Sequence, residues 1–494
     1  MTKSIKSIIA LSSVLVVLGG GAVCWKVFMD NEPEEVSSFE SSESSGGTEL
    51  IHKNPDDINK IEITNTSGSF NLLRLKKSEE SGDFGRTLYT IEGYEDLLLD
   101  TSILWTLSNN MGDVRSNTIV AEDCTDSDTE KYGFDEPVTA VLHYDSGETV
   151  KFYIGDVSPL SENTYFMLDG DNTVYTVATS LLNNYRLQKN DFVSKIVFEE
   201  PPEDNYPIVN SINIKRDDID YDILIEYDEK SDDDNYNGGT SAAHIMTQPI
   251  FSYLSVERSI KVTNGLFGLT ADDFYAVHPD ENDIAEAGLK SPFCTVEFKC
   301  NDNNNYTLYM SEPFTDDDAL KYHYVMLEGN KIIYKISTES AVWGTVQPVD
   351  FASKTVFGSN VWDIEKLIVS GKNSDVITFE CEGSSKENMK VQKNNEDFEY
   401  ERFRLFYSFL LDTPGEEFAL DRTVPDKEPS AVVNVTDRYL EKTYTVEFYD
   451  DTALRSLIVI DGECRYICSK SYVDTLLENI ERIDTGEEYI RTWK

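Results

Sequence analysis

Five histidines, His52, His143, His244, His278 and His323, are the first residues to test for chemistry, because imidazole serves both as metal ligand and as general base. They are scattered through 494 residues with no HxxxH or HxH spacing, so no single helix or strand would set two of them on one metal. A metal site assembled from His143 and His323, which fall in expected strands far apart in the chain, stays open beside the plainer reading of packed or exposed strand residues. Acidic runs invite calcium: Asp232-Asp233-Asp234 opens DDDNYNGG, and Asp316-Asp317-Asp318 lies in another loop. An EF-hand loop needs alternating oxygen ligands, glycine at its sixth position and glutamate at its twelfth. Counted from Asp232, those two positions hold Asn237 and Ala243, so the pattern fails and weak surface cation binding is what stays open. Nucleophile and phosphate signatures are missing as well. The chain has no GxSxG elbow, no SxxK with its companions, no P-loop and no GxGxxG after a strand. Paired carboxylates for glycoside hydrolysis are defined by a separation of ~5–9.5 Å in space, and 91 acids give the sequence no means of choosing a pair. The sequence therefore nominates no catalytic, cofactor-binding or metal-binding residue, and no cofactor.

Cysteine usage points the same way. Cys24 lies in an apolar N-terminal stretch; the others are Cys124, Cys294, Cys300, Cys381, Cys464 and Cys468, with no CxxC pair to suggest zinc or thioredoxin-like chemistry. Cys294 and Cys300 fall in one expected strand, where six residues span ~20 Å, well beyond the ~7 Å between Cα atoms that a disulfide tolerates. Cys464 and Cys468 fail for the same reason. Isolated buried thiols are expected, with a disulfide between repeats as the alternative.

The elements that would position such residues begin outside the cytoplasm. From Ser7 to Trp25 run 19 uncharged residues rich in Ile, Leu, Val and Ala, close to the ~20 needed to cross a bilayer core. Lys3 and Lys6 precede them and Asp30, Glu32, Glu34 and Glu35 follow, which favours a cytoplasmic N-terminus over residues 1–6 and a transmembrane signal anchor over 7–29. A cleaved signal peptide and a lipoprotein acylated at Cys24 are weaker fits, because Val23-Cys24-Trp25-Lys26 is a poor cleavage context and Val23 stands where a lipobox wants a smaller residue. All three place the bulk of the chain on the outer side. Residues 30–55, with SSFESSESSGG at Ser37–Gly47, read as a disordered acidic, Ser-rich stalk. The formal charge of −48, from 91 acids against 43 Lys and Arg, excludes nucleic-acid binding, which requires clustered positive charge. Its plain reading is a solvated acidic exterior.

Beyond the stalk the chain repeats. DFVSKIVF at Asp191–Phe198 returns as DFASKTVF at Asp350–Phe357, an offset of 159 residues. The same offset carries Tyr165 to Tyr324, Gly170 to Gly329 and Tyr175 to Tyr334. Three modules follow, over 56–198, 207–357 and a divergent 361–490. Each opens on an alternating strand (from Ile58, Val209 and Ile364) and continues to an amphipathic helix. TSILWTLSNNM has Ile103, Leu104, Leu107 and Met111 on one face; the others are PIFSYLSVERSI, with Pro249 at the first helical position, and YERFRLFYSFLL. Pro137, Pro292 and Pro429 then mark the start of a β-meander, since proline tolerates the first position of a strand and not its centre. Asp169-Gly170, Glu328-Gly329 and Asp461-Gly462 turn the last hairpin, and a short helix (SLLNNYRL, TESAVWGT, SYVDTLLENIERI) closes each module. The expected fold class is α+β, three tandem related modules of antiparallel meander and hairpin strands with one or two short helices each. An N-terminal transmembrane helix and a flexible stalk precede them.

This order resembles a bacterial family catalogued as domain of unknown function 4340. The likeness is carried by Tyr132-Gly133-Phe134-Asp135-Glu136-Pro137, by VKFYIGD at Val150–Asp156, by Tyr165–Asp169, by Val174–Val177 and by the helix at Ser180. It covers the first module best, the second clearly and the third weakly. The resemblance implies membrane-anchored surface proteins associated with transporters similar to those of the gliding-motility system. The expected function is a non-enzymatic accessory or adaptor, single-pass in the cell membrane, that presents its modules to an envelope partner such as a transporter or surface protein. The alternative is an extracytoplasmic hydrolase or ligand-binding receptor with a cleft between modules.

Overall fold

The computed structural model describes residues 47–81, 85–125, 129–159, 161–232, 241–372 and 374–493. The expected anchor over 7–29, Cys24 and most of the stalk lie outside them. Among the described residues no helix is long and apolar enough to cross a membrane. The chain divides into two compact units, one running to Glu95 and resuming over Thr101–Lys189, the other made of Asp96–Asp100 and everything from Asn190 onward.

In the first unit, β1 (Glu49–His52) pairs with β5 (Asp113–Arg115) in a two-stranded antiparallel sheet. An eight-stranded antiparallel sheet is built from β2 (Ile58–Asn65), β3 (Gly68–Lys76), β4 (Leu88–Ile91), β6 (Thr118–Ala121), β7 (Val138–Tyr144), β8 (Thr149–Val157), β9 (Asn163–Leu168) and β10 (Val174–Ala178), in the order β4-β3-β2-β7-β8-β9-β10-β6. Alternation decides which face is buried. Val138, Ala140, Leu142 and Tyr144 are buried along β7 while Thr139, Val141 and His143 are half-exposed. Against that face lies α1 (Thr101–Asn109), which buries Leu104 and Leu107. The Phe152 ring stacks on Phe166 at 5.2 Å and meets Tyr185 edge-on at 5.5 Å, and the enclosed Tyr185 hydroxyl donates to Leu107 O at 2.8 Å.

The second unit holds two more sheets. One comprises β11 (Val209–Arg216), β12 (Ile223–Tyr227), β13 (Ser241–Gln248), β14 (Ser252–Ser255), β15 (Asp273–Val277), β16 (Cys294–Cys300), β17 (Asn305–Met310), β18 (Phe314–Thr315), β19 (Lys321–Leu327) and β20 (Ile332–Ser337). Helices α2 (Val256–Asn264) and α3 (Glu281–Glu286) fall between them in the chain. The other comprises β21 (Ile364–Gly371), β22 (Ile377–Glu382), β23 (Lys390–Lys393), β24 (Glu396–Phe398), β25 (Glu417–Phe418), β26 (Ala431–Asp437), β27 (Lys442–Asp450), β28 (Arg455–Ile460) and β29 (Glu463–Ser469), with α4 (Tyr400–Leu411) and α5 (Lys470–Thr485). Their orders are β14-β13-β12-β11-β16-β17-β19-β20-β15, with β18 beside β19, and β24-β23-β22-β21-β26-β27-β28-β29-β25.

The three large sheets thus follow one plan. The opening strand is central, paired on one side to a descending arm and on the other to a four-strand meander that ends on a short edge strand. Even an irregularity recurs. The opening strand slips by one residue after its first position in all three sheets, between Ile58 and Lys60, Val209 and Ser211, and Ile364 and Lys366. Such bulges add local twist, which an open sheet needs to wrap a helix. The repeated block DFVSKIVF/DFASKTVF has a shared role too. Ser194 N donates to Leu98 O at 2.8 Å and Ser353 N to Tyr253 O at 2.8 Å, while Phe192 and Phe351 are fully buried beside them.

The expected α+β class is overturned. Among the described residues strand accounts for 41% and helix for 20%, in four antiparallel sheets, so the fold is mostly β. Two physical reasons account for the difference. Short edge strands of two to five residues (β1, β5, β6, β15, β18, β24, β25) carry too few residues to display a period. Two of the expected closing helices also shrink to single turns, Thr179–Leu182 running into 3-10 geometry, and Val342–Gly344. The end of the expected stalk is likewise β-structure, because Ile51 enters a buried position in β1. Pro249 does not start a helix: it follows a cis peptide bond before β14, and α2 begins at Val256 with the Ser255 side chain accepting from Arg258 N. We expect Phe152→Ala to lower the stability of the first unit by about 3–5 kcal/mol through the cavity it leaves. Urea unfolding read by tyrosine and tryptophan fluorescence measures this; a loss below about 1 kcal/mol would contradict the packing described.

Candidate functional site

A cavity of about 220 Å³ opens in the second unit where Phe251, Ser252 and Tyr253 and the segment Thr355–Ser359 face the meander of the third sheet. The meander supplies Lys442, Tyr444, Ile460, Arg465 and Tyr466. Local backbone chemistry places these groups. The tight turn Asp461-Gly462, both at positive φ (51° and 83°), joins β28 to β29 with two residues. The ladder then slips: Val459 pairs with Cys464 and Ile458 with Tyr466, so Arg465 is the extra, bulged residue. The matching hairpins β19–β20 and β9–β10 run from Tyr322↔Ser337 to Val325↔Tyr334 and from Asn163↔Ala178 to Phe166↔Tyr175 without a shift. A bulge re-aims a side chain, and here it turns a cation into an aromatic recess.

The Arg465 guanidinium lies 4.8 Å from the centroid of the Phe251 ring, and Phe251 meets Tyr253 edge-on at 5.3 Å. Arg465 Nε is shielded from solvent and has no hydrogen-bond partner among the described residues; its Nη2 reaches Glu463 Oε2 only at 3.4 Å. That single long contact leaves the guanidinium with donors to offer a ligand acceptor. Ser252 Oγ and the Tyr466 hydroxyl are 3.2 Å apart, and Ser359 Oγ and the Tyr444 hydroxyl 3.5 Å. Burial pushes the Tyr444 hydroxyl up to about 12 and raises that of Tyr466, so both stay protonated and can donate. At the rim, Lys442 Nζ is 3.8 Å from Asp461. The cavity therefore offers aromatic faces, neutral hydroxyls and cations.

The residues singled out by sequence do not assemble there. His52 lies with Glu49 and Asp113 in a grouping whose ligand atoms are within 4.8 Å of one another. Arg115 already holds both acids, through Nε to Asp113 at 3.0 and 3.1 Å and Nη2 to Glu49 at 3.0 Å, so a metal would have to displace a guanidinium at an exposed surface. His143 Nε2 lies 3.1 Å from Glu62, and His278 Nε2 lies 2.9 Å from Asp96, whose carboxyl is held at about 2 by hydrogen bonds from Lys331 and then His278. His244 is buried with Nε2 2.7 Å from Val209 O. His323 is fully enclosed within the second unit, Nδ1 2.7 Å from Ser311 O. Asp316 accepts from Asp318 N, Leu320 N and Lys335, so its cluster closes a turn; Asp233 and Asp234 lie outside the described residues. The six described cysteines are free thiols, and burial pushes Cys294, Cys381 and Cys468 up to about 12 and Cys300 to about 11, unreactive values. Sequence reasoning missed Arg465, Tyr444 and Tyr466. The available signal was small: the turn glycine precedes the hairpin tyrosine by five residues at Gly170 and Gly329 and by four at Gly462.

Residues 90–249 match the family model described as Domain of unknown function (DUF4340). That match supports the family for this stretch, which runs from β4 into β13. No curated protein matches the chain, and no solved structure does.

Desolvation lowers the pKa of the enclosed His244 and His323 below the ordinary 6.5. The unfolded chain then takes up these protons first. Their contribution to stability is complete above about pH 6.5 and is lost as pH falls through that value towards the lower folded pKa. The urea midpoint should therefore drop between about pH 6.5 and 5, and His244→Gln with His323→Gln should flatten that slope; an unchanged slope would contradict the burial of neutral imidazoles.

Proposed function

We propose that this protein is a membrane-anchored, extracytoplasmic accessory that holds an array of three related β-sheet modules towards a partner in the cell envelope and performs no catalysis itself. The observation that carries this reading is the single strand plan, bulge included, shared by three sheets of otherwise different sequence. What recurs is scaffold: central strands, turn glycines and buried aromatics. The uncharged stretch from Ser7 to Trp25 supports the anchor, and the formal charge of −48 suits a solvated exterior. A transporter is the partner favoured by the family resemblance. A ligand-binding receptor is the second reading, favoured over a hydrolase by the cavity at Arg465: its lining supplies cations, hydroxyls and rings, and no carboxylate or imidazole to act as general base.

Cell fractionation tests placement. The full chain should sediment with membranes and be digested by protease added to intact cells, whereas a form lacking residues 1–46 should stay soluble. Full protection of the bulk from external protease would overturn the proposal. Capture of the full chain from solubilised membranes should co-purify a membrane protein in fixed proportion; recovery of the chain alone, together with turnover of a surface polymer by the purified protein, would favour the hydrolase.

A further inference from the structure

We propose that the cavity at Arg465 is a binding site for a small carboxylate carried on a six-membered ring, either an aromatic acid or a cyclic sugar acid. The inference deepens the receptor reading and rests on it. Three independent observations converge. The hairpin has one residue fewer than its sisters between turn glycine and tyrosine, and its ladder bulges at Arg465, where they have Val174 and Ile333; such bulges re-aim side chains at sites. The Arg465 guanidinium lines the cavity with a single long carboxylate contact, 3.4 Å from Nη2 to Glu463, and a carboxylate is the acceptor that matches the planar Arg fork. The walls are Phe251, Tyr253 and Tyr444, aromatic side chains that suit the apolar body of a ring, with the protonated Tyr466 hydroxyl as a further donor.

The corresponding concavity against the second sheet sharpens the contrast. It is lined by Leu98, Ile196, Phe198, Ile332 and Tyr334, with Glu199 as its one charged group. Apolar residues stand there where the Arg465 cavity has Tyr253 and Thr355, and Gly358 replaces Glu199 at the repeat offset of 159. The concavity beside the second sheet thus carries an acid where this one has Gly358, and Arg465 stands beside the hairpin tyrosine where Ile333 stands there. Size sets the ligand. A cavity of about 150 Å³ takes benzene, so about 220 Å³ takes a ring bearing a short acid arm, roughly ten heavy atoms. The charge of −48 repels anions at long range. Recognition must therefore come from contact with Arg465 and Lys442.

Titration calorimetry of the purified soluble form, residues 47–494, with phenylacetate, glucuronate and their neutral amides tests this, after circular dichroism has established that this form is folded; if it is not, detergent-solubilised full chain takes its place. One of the two acids should bind with a dissociation constant of about 10 μM to 1 mM, at least tenfold tighter than its own amide. Phenylacetate alone points to an aromatic acid and glucuronate alone to a sugar acid. Arg465→Met should cost at least tenfold while leaving the thermal midpoint near that of the parent. The comparison of acid with amide uses the unaltered chain, so it decides the matter even where the variant misfolds. No binding of either acid at 10 mM (about the weakest affinity calorimetry reads), or an amide binding as well as its acid, overturns the inference. Binding of the amides alone would leave a receptor and remove the carboxylate, which separates failure of this proposal from failure of the receptor reading.

Discussion

The pairing of each opening strand with the strand that follows the meander proline is the interaction on which the rest of the molecule depends. Ile61 lies opposite Leu142, Ile212 opposite Phe298, and Leu367 opposite Val435, and all six side chains are fully buried. The partners lie 81, 86 and 68 residues apart in sequence, so this ladder must close a long loop before it gains any burial. Once closed, it fixes which face of every neighbouring strand is inward, because a slip of one residue would turn all the apolar side chains to solvent. The hairpins on either side then need only local contacts. The bulge after the first residue of each opening strand belongs to this pair and gives all three sheets the same local departure from a flat ladder.

Packing on the inward face differs between the sheets while the ladder does not. In the first, one helix and the Phe152–Phe166–Tyr185 cluster fill the face. In the third, α4 and α5 bring Phe403, Phe406, Tyr407, Phe409, Tyr472 and Leu476 into one large core, with the Phe409 and Tyr472 rings stacked at 5.0 Å. Two enclosed hydroxyls of that core are satisfied: Tyr407 donates to Ser359 O at 2.8 Å, and Tyr472 lies 2.5 Å from Thr413 Oγ1. Ser359 therefore links the core of the third sheet to the wall of the Arg465 cavity. Scaffold and candidate site share residues there, and a rigid core holds the recess open.

Much of this was legible in the sequence because its signals are local. The alternation of Val138, Ala140, Leu142 and Tyr144, the Asp-Gly and Glu-Gly turns and the prolines before the meander each follow from the geometry of a few residues. The helices YERFRLFYSFLL and TSILWTLSNNM were also legible, since an apolar face recurs over three turns. The balance of strand to helix was not. Strands such as β18 and β25, two residues each, exist only because a neighbour offers a free edge. The four-residue β1 depends in the same way on β5 and on the burial of Ile51. The candidate site was hidden for a related reason. Arg465 matters through a register shift between two strands and through Phe251, more than two hundred residues away. No motif spacing encodes that meeting, whereas the histidines and acid runs that did look like motifs turn out to cap turns, pair on surfaces or fill cores.

Native-state hydrogen exchange of the full chain, followed by mass spectrometry of its peptides, tests the central ladder most directly. Amides in β2 and β7, β11 and β16, and β21 and β26 should exchange more slowly than those of any edge strand, with the same ranking in all three sheets. Rapid exchange across β11 and β16 while the β19–β20 hairpin stays protected would contradict it.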